Sequence, residues 1–312
     1  MSVIRRSLLK GMGLTAISAG IAGGFGPGDL IHAWANSSIS LGTMKIDVLS
    51  DGHLVLPVKL LMGDAPADEV STLFAKYNLP TNVMEPACNL TLVRHEDKTI
   101  LFDVGSGPNF MPTAGKIADA LDAINLDAGE VTHVLFTHAH PDHLWGLLDD
   151  FDDPVFPNAE YMISKKEWDY WVDPDTVSTI GEARQTFAVG AKRYLEAIED
   201  QITRFDMEDE VLAGIRAIDT SGHTPGHVSF ELRSGSESVV VVGDALTNAI
   251  YSFEKPDWRV GSDQDAEMGV GARNRLLDQL ASDKMQMIGY HIPYPGIGRV
   301  ERSGNAYRFV AD

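Results

Sequence analysis

The 312 residues carry 45 Asp and Glu against 25 Lys and Arg, a formal charge of −20 with a pI near 4.7, and 44% of them are hydrophobic. So acidic a chain repels phosphate backbones and anionic lipid, which argues against nucleic acid as a partner and leaves small, uncharged molecules. The single cysteine, Cys88, can form no internal disulfide; in its apolar, strand-like context it is expected to be a buried inert thiol, outside any zinc–thiolate chemistry.

In chain order, Arg5-Arg6-Ser7-Leu8-Leu9-Lys10 precedes a weakly apolar Gly/Ala-rich run from Gly11 to Phe25, and Ala33-Trp34-Ala35 offers a small-x-small cleavage site. This grammar predicts a twin-arginine export signal over residues 1–35 and a periplasmic or secreted protein. The run falls short of the ~18 to 20 apolar residues that a membrane span needs, so no stable membrane association is expected after export. Cleavage would remove three cations and one anion, taking the charge from −20 to −22.

Residues 36–312 read as one catalytic domain. Ile39 to Val58, interrupted by Asp51-Gly52, predicts a hairpin, and Asp68 to Asn78 a helix stopped by Pro80. Cys88 to Arg94 and Thr99 to Val104 predict strands. Lys116 to Asn125 has helical spacing, and Val131 to Thr137 is a β-branched run expected as a buried strand. After a short helix at Leu144 to Leu148, Glu160 to Ser164 reads as a strand, and Lys165 to Val172 as a helix with Trp168 and Trp171 on one face. Ile180 to Glu199 reads as a longer helix. Three β-rich segments, Val211 to Asp219, His227 to Arg233 and Ser238 to Val242, precede a helix at Ala266 to Ala281, a strand at Met285 to Tyr290 and a closing hairpin through Val300 to Val310. Both halves end an apolar strand in an aspartate beside glycine, at Phe102-Asp103-Val104-Gly105 and Val242-Gly243-Asp244, a weak internal echo.

The chemistry concentrates in His138-Ala139-His140-Pro141-Asp142-His143, where three imidazoles and a carboxylate follow the apolar run. Pro141 is expected to bar ladder and helix alike, so the four side chains should leave the strand end on a tight loop. Neutral imidazole and carboxylate are the ligands of borderline divalent metals, and a chain with only 10 His does not gather three in six residues by accident.

This motif resembles the metal loop of the metallo-β-lactamase fold superfamily, and Ser221-Gly222-His223-Thr224-Pro225-Gly226-His227, Val242-Gly243-Asp244 and Tyr290-His291-Ile292-Pro293 follow in that family's order. Leu49-Ser50-Asp51-Gly52 and His291-Ile292-Pro293-Tyr294-Pro295-Gly296-Ile297-Gly298 are similar to its methyl parathion hydrolase-like and lactonase-like branch. The resemblance implies an α/β fold, the αββα sandwich, with two divalent ions per chain: zinc first, with manganese, iron or cobalt as alternatives. It implies that His138, His140 and His223 hold one ion, that Asp142, His143 and His291 hold the other, and that Asp244 bridges them. His227, beyond the turn at Pro225-Gly226, is left out of the ligand set with a supporting role, and Asp103 is expected to orient the metal loop.

A metal-bridging hydroxide then needs no serine or cysteine nucleophile, with Asp142 or Asp244 passing the proton to the leaving group. No Gly-x-Ser-x-Gly elbow and no Walker loop competes. The expected reaction is hydrolysis of neutral esters, lactones or organophosphotriesters. Typical acyl-homoserine lactonases carry tyrosine three residues after the bridging aspartate; Thr247 here weighs toward the parathion hydrolase-like branch. Phe110, Trp145, Trp168, Trp171, Phe187 and Phe253 are candidates for an apolar substrate pocket. A diiron oxidoreductase on the same fold is the first alternative, against which His140 stands where that class usually has glutamate. A non-catalytic periplasmic metal-binding protein is the second. A homodimer stays open.

Overall fold

The computed structural model describes residues 37–312; the twin-arginine segment and its cleavage site lie outside the described residues. Strands β1 (Ser38–Leu41), β2 (Met44–His53), β3 (Leu56–Pro57), β4 (Val83–Met84), β5 (Ala87–His95), β6 (Lys98–Phe102), β7 (His133–Leu135), β8 (Glu160–Ser164) and β9 (Ile202–Phe205) make the first half. All but the small β3–β4 pair join one sheet in the order β1-β2-β5-β6-β7-β8-β9, antiparallel as far as β6 and parallel from there on. The second half runs β10 (Glu210–Leu212), β11 (Ile215–Asp219), β12 (Val228–Ser234), β13 (Glu237–Val241), β14 (Gln286–Ile288), β15 (Ile297–Ser303) and β16 (Ala306–Ala311). These pair in sequence order, in parallel between β13 and β14.

The sheets face each other through β-branched and aromatic side chains: Ile46, Val93 and Phe102 from the first meet Phe230, Val239 and Val241 from the second. Phe102 and Phe230 hold the contact, with ring centroids 5.2 Å apart. Helices α1 (Val58–Met62) and α2 (Ala67–Tyr77) form a small cluster with Tyr251 and Trp258. The outer face of the first sheet is covered by α3 (Ile117–Ala123), α4 (Pro141–Leu144), α5 (Lys165–Val172), α6 (Thr176–Thr179) and α7 (Gln185–Ala197). That of the second is covered by α8 (Tyr251–Glu254) and α9 (Ala266–Asp283). Helix, sheet, sheet, helix is the expected αββα sandwich, in which each sheet buries both faces.

Four expectations fail locally. The hairpin turn is at Gly42-Thr43, and β2 runs straight through Asp51-Gly52. Asp51 is no turn residue: it is fully buried, and its carboxylate accepts the backbone N–H groups of Ser106, Gly115, Lys116 and Ile117, pinning the start of α3. Val211 to Asp219 is split into β10 and β11 by Gly214, whose φ of +75° suits the turn. The helix expected from Ile180 begins only at Gln185, after a 3₁₀ turn at Glu182–Arg184. Strand β9 was not foreseen because Thr203 and Arg204 are exposed on the sheet edge and break the apolar alternation.

Candidate metal centre

The parallel strand β7 aims its C-terminal end at the site, and the chain then turns through Thr137 and His138. Contrary to expectation, Pro141 does not stop a helix there but starts one, occupying the first position of α4, where its missing N–H would have had no partner. Asp142 and His143 are thereby fixed on a helical turn. Asp103, expected to orient this loop, accepts hydrogen bonds from Thr137 N and Oγ1 and pairs with His143 Nδ1, each at 2.8 Å. It does so from a φ of +61°, a strained geometry for a residue with a side chain. Tyr290 stacks on His143 with centroids 3.8 Å apart and donates its phenol to the Asp142 carbonyl.

The other half supplies three residues from the ends of β11, β13 and β14. His223 Nε2 lies 2.9 Å from His140 Nδ1 and 3.2 Å from Asp244 Oδ2. Asp244 also stands 3.2 Å from both His143 Nε2 and His291 Nε2, while Asp142 Oδ2 is 3.4 Å from His143 Nε2 and 3.3 Å from His291 Nε2. All seven predicted residues therefore converge, each with under a tenth of its surface exposed. His138 Nε2, Asp142 Oδ2, His143 Nε2 and Asp244 Oδ1 are buried with no hydrogen-bond partner. Orphaned donors and acceptors cost roughly 1–3 kcal/mol apiece unless something binds them, and clustered imidazole and carboxylate atoms suit divalent cations. One donor atom each from His138, His140 and His223 falls within 4.8 Å of the others, as does one each from His138, His143 and Asp244. The donor set fits divalent metal.

The electrostatics divide the imidazoles into two groups. Burial, then the neighbouring histidines, hold His138 and His140 well below the usual imidazole range, which keeps them neutral and able to ligate. Burial would also lower His143 and His291, but Asp142 and Asp244 outweigh it and raise both. Asp244, which burial alone would raise, is held well below the carboxylate range by His291, His143 and His223.

His227 stays out of the cluster of donors, as expected. Its Nε2 accepts the Asp244 backbone N–H at 2.9 Å and its Nδ1 faces Thr220 Oγ1 at 2.8 Å. Burial, then His223, push it down to about 3, so it is a neutral prop beneath Asp244. Gly243 makes that close approach practicable: at φ +52° any Cβ would sit 2.7 Å from His227 Nε2.

Sequence reasoning missed Glu167, Asp263 and the Arg273 that holds Asp263. Glu167 is fully buried and accepts Ala139 N–H, Gly226 N–H and Thr224 O–H, tying the His138 loop to the His223 loop. In the polar run Lys165-Lys166-Glu167 nothing distinguishes it from a solvated face. Asp263 lies 3.3 Å from His223 Nδ1 and is held by the buried Arg273 guanidinium at 2.7 Å. His53, His95 and His133 take no part.

Above the cluster opens a cavity of about 490 Å³, whose floor includes His140, Asp142, His223, Asp244 and His291. Its walls are apolar, with Leu54, Leu61, Met84, Phe110, Phe187 and Ile250 among them. Of the expected aromatics only Phe110 and Phe187 line it. Trp168 and Trp171 are core beneath α5, Phe253 packs under α9, and Trp145 stacks on Tyr194. Thr247 does line the cavity, and so does Tyr251, which returns a phenol to the pocket four residues later.

Residues 84–280 match the profile of the metallo-beta-lactamase superfamily. Among solved structures, the chain is similar to AidC, a dizinc quorum-quenching lactonase in complex with a product, with a TM-score of 0.82, 26% identity and coverage of 88% of this chain and 97% of that one. It is similarly related to AbOPH, a hydrolase in the beta-lactamase superfamily, with a TM-score of 0.81, 26% identity and coverage of 88% and 96%. Among curated proteins, YobT of Bacillus subtilis (strain 168) is 30% identical over 159 residues, 51% of this chain and 61% of that protein. The N-acyl homoserine lactonase AttM of Agrobacterium fabrum is 30% identical over 140 residues, 44% and 49% respectively. The chain thus spans about half to three fifths of these curated relatives. With the profile covering well over half of its residues, and the fold and donor cluster in agreement, the chain belongs to the metallo-beta-lactamase superfamily.

Proposed function

We propose that the protein is a metal-dependent hydrolase with two divalent ions, zinc foremost, acting on neutral esters, lactones or organophosphotriesters. The observation that carries this reading is the set of four orphaned, buried donor atoms, on His138, Asp142, His143 and Asp244, of which Asp142 and Asp244 floor an apolar cavity. His138, His140 and His223 would hold one ion, Asp142, His143 and His291 the other, with Asp244 between. When bound, such ions activate water and polarise the substrate oxygen. The chain's own part is positional. Asp103, His227 and Asp263 fix the ligands from behind. The apolar walls exclude bulk water and seat an uncharged substrate, and Asp142 and Asp244 are the carboxylates placed to carry a proton to the leaving group. The dizinc lactonase AidC supports zinc and lactones among the candidates, and Tyr251 supplies the phenol that Thr247 does not. Asp142 and the chain's strong negative charge disfavour anionic substrates.

The test measures kcat/KM of zinc-loaded protein for a neutral phosphotriester, an aryl ester and a lactone against a phosphodiester bearing the same leaving group, with chelator controls. The neutral substrates are expected to win by on the order of a hundredfold, with activity lost to the chelator. A preference for the diester, or chelator-insensitive turnover, would refute the reading. Elemental analysis after dialysis is expected to give two ions per chain; a stoichiometry fixed at one under metal-replete conditions would sink the dinuclear assignment.

Export is proposed from Arg5-Arg6 and the run behind it. Replacing the pair by Lys-Lys is expected to leave the precursor in the cytoplasm, because the twin-arginine receptor reads the pair as an address rather than as charge. Fractionation that still finds the Lys-Lys form in the periplasm would point to another route.

A further inference from the structure

We propose that Cys88 is a thiolate ligand of the second metal ion, beside Asp142, His143 and His291. The inference rests on the two-ion reading above. Cys88, the chain's one cysteine, is fully buried on β5 as expected; as a ligand, however, its thiol is not the inert group that its sequence context predicts. Its two neighbours on that strand grip the loop that carries His291. His291 Nδ1 meets the Ala87 carbonyl at 2.7 Å, Asn89 N donates to the Tyr290 carbonyl, and Asn89 Nδ2 donates to the carbonyls of Gly289 and Ile292. With Nδ1 committed to a carbonyl, the His291 ring presents Nε2 to Asp142 and Asp244. This docking brings Cys88 Sγ, a carboxylate oxygen of Asp142 and a ring nitrogen of His291 within 4.8 Å of one another.

A second observation points to the same place. Asp142 is 6% exposed, yet its Oδ2 accepts no hydrogen bond although it lies amid the His143 and His291 rings. A buried carboxylate with one oxygen bare between two imidazoles, and with a buried sulfur nearby, is a donor set suited to a cation. Zinc–sulfur bonds of ~2.3 Å and zinc–nitrogen or zinc–oxygen bonds of ~2.0–2.2 Å place two donors of one tetrahedral ion about 3.6 Å apart, so the three atoms, which lie within 4.8 Å of one another, would draw together by up to about 1 Å on binding. On binding, the thiol S–H bond is replaced by a sulfur–metal bond and the proton leaves to solvent. A thiolate there would bias the second position toward zinc or cobalt over harder ions and distinguish it from the first position, held by three histidines and Asp244.

The experiment loads metal-free protein with Co(II) and follows the sulfur-to-cobalt charge-transfer band in the near ultraviolet, with elemental analysis of the same sample. Because the chain has one cysteine, the band reports on Cys88 alone. It is expected to grow as the second equivalent binds and to vanish in Cys88→Ser, which should hold its second cobalt at least about tenfold more weakly while retaining the first. Two cobalt ions bound without the band would overturn the thiolate and leave the two-ion reading standing. Fewer than two ions in fully loaded protein would overturn both. The wild-type spectrum decides the matter even should the variant fail to fold.

Discussion

Asp244→Asn is expected to release metal from both positions together and to lower kcat/KM by more than about a thousandfold, roughly 4 kcal/mol of transition-state stabilisation. The side chain stands 3.2 Å from His143, His223 and His291, so among the described residues no other touches donors assigned to both ions so evenly. An amide there loses the charge that balances those imidazoles. His227→Asn should act one step removed. It withdraws the acceptor of the Asp244 N–H and frees the loop at Gly243, a loss of about 10- to 100-fold in affinity or activity. Metal content after dialysis and kcat/KM, measured on both variants, decide between these outcomes. Equal losses would mean that His227 has been wrongly set outside the ligands, or Asp244 wrongly set between the ions.

The largest effect on stability is expected at Glu167. Its carboxylate is buried and serves Ala139, Thr224 and Gly226 at 2.7–3.0 Å, as well as the Trp171 indole. Glu167→Ala leaves two buried backbone N–H groups without acceptors and severs the link between the two histidine loops. About 3–5 kcal/mol should be lost, a fall of about 10 °C in Tm for a domain of this size. Melting the metal-free protein separates this from any indirect loss of metal. Glu167→Gln, which keeps one acceptor oxygen, should recover part of the difference. A Tm for Glu167→Ala within about 2 °C of wild type would show that water replaces the carboxylate and that the loops hold themselves.

The residues gathered at the site were legible because metal ligation demands particular side chains at particular strand ends, and His138, His140, Asp142 and His143 announce one such end in six consecutive residues. His223, Asp244 and His291 were readable only as later members of an ordered set. Of what holds them in place, Asp103 and His227 were legible, but Glu167 and Asp263 were not. Glu167 and Asp263 look like solvated acids in polar surroundings, and only the pairing of distant strands makes them buried acceptors. Asp51-Gly52 has the chemistry of a turn, yet the need of α3 for an acceptor at its start draws the carboxylate inward and the strand continues. Pro141 reads as a barrier because its ring forbids a helix interior; at a helix start the same ring is well suited. Thr203 and Arg204 concealed β9, since an edge strand needs no apolar pattern.

The site is also a record of how late in folding it must appear. His140 meets His223 across 83 residues, Tyr290 reaches Asp142 across 148, and Asn89 clasps Ile292 across 203. Contacts so distant along the chain pay their loop-closure entropy before they return any bonding, whereas hairpins such as β15–β16 close early. Each sheet can therefore zip up from neighbouring strands while the ligands remain apart. The donors become a single constellation only when the two sheets have docked, so a cation present from the outset meets scattered histidines first and a complete cage last.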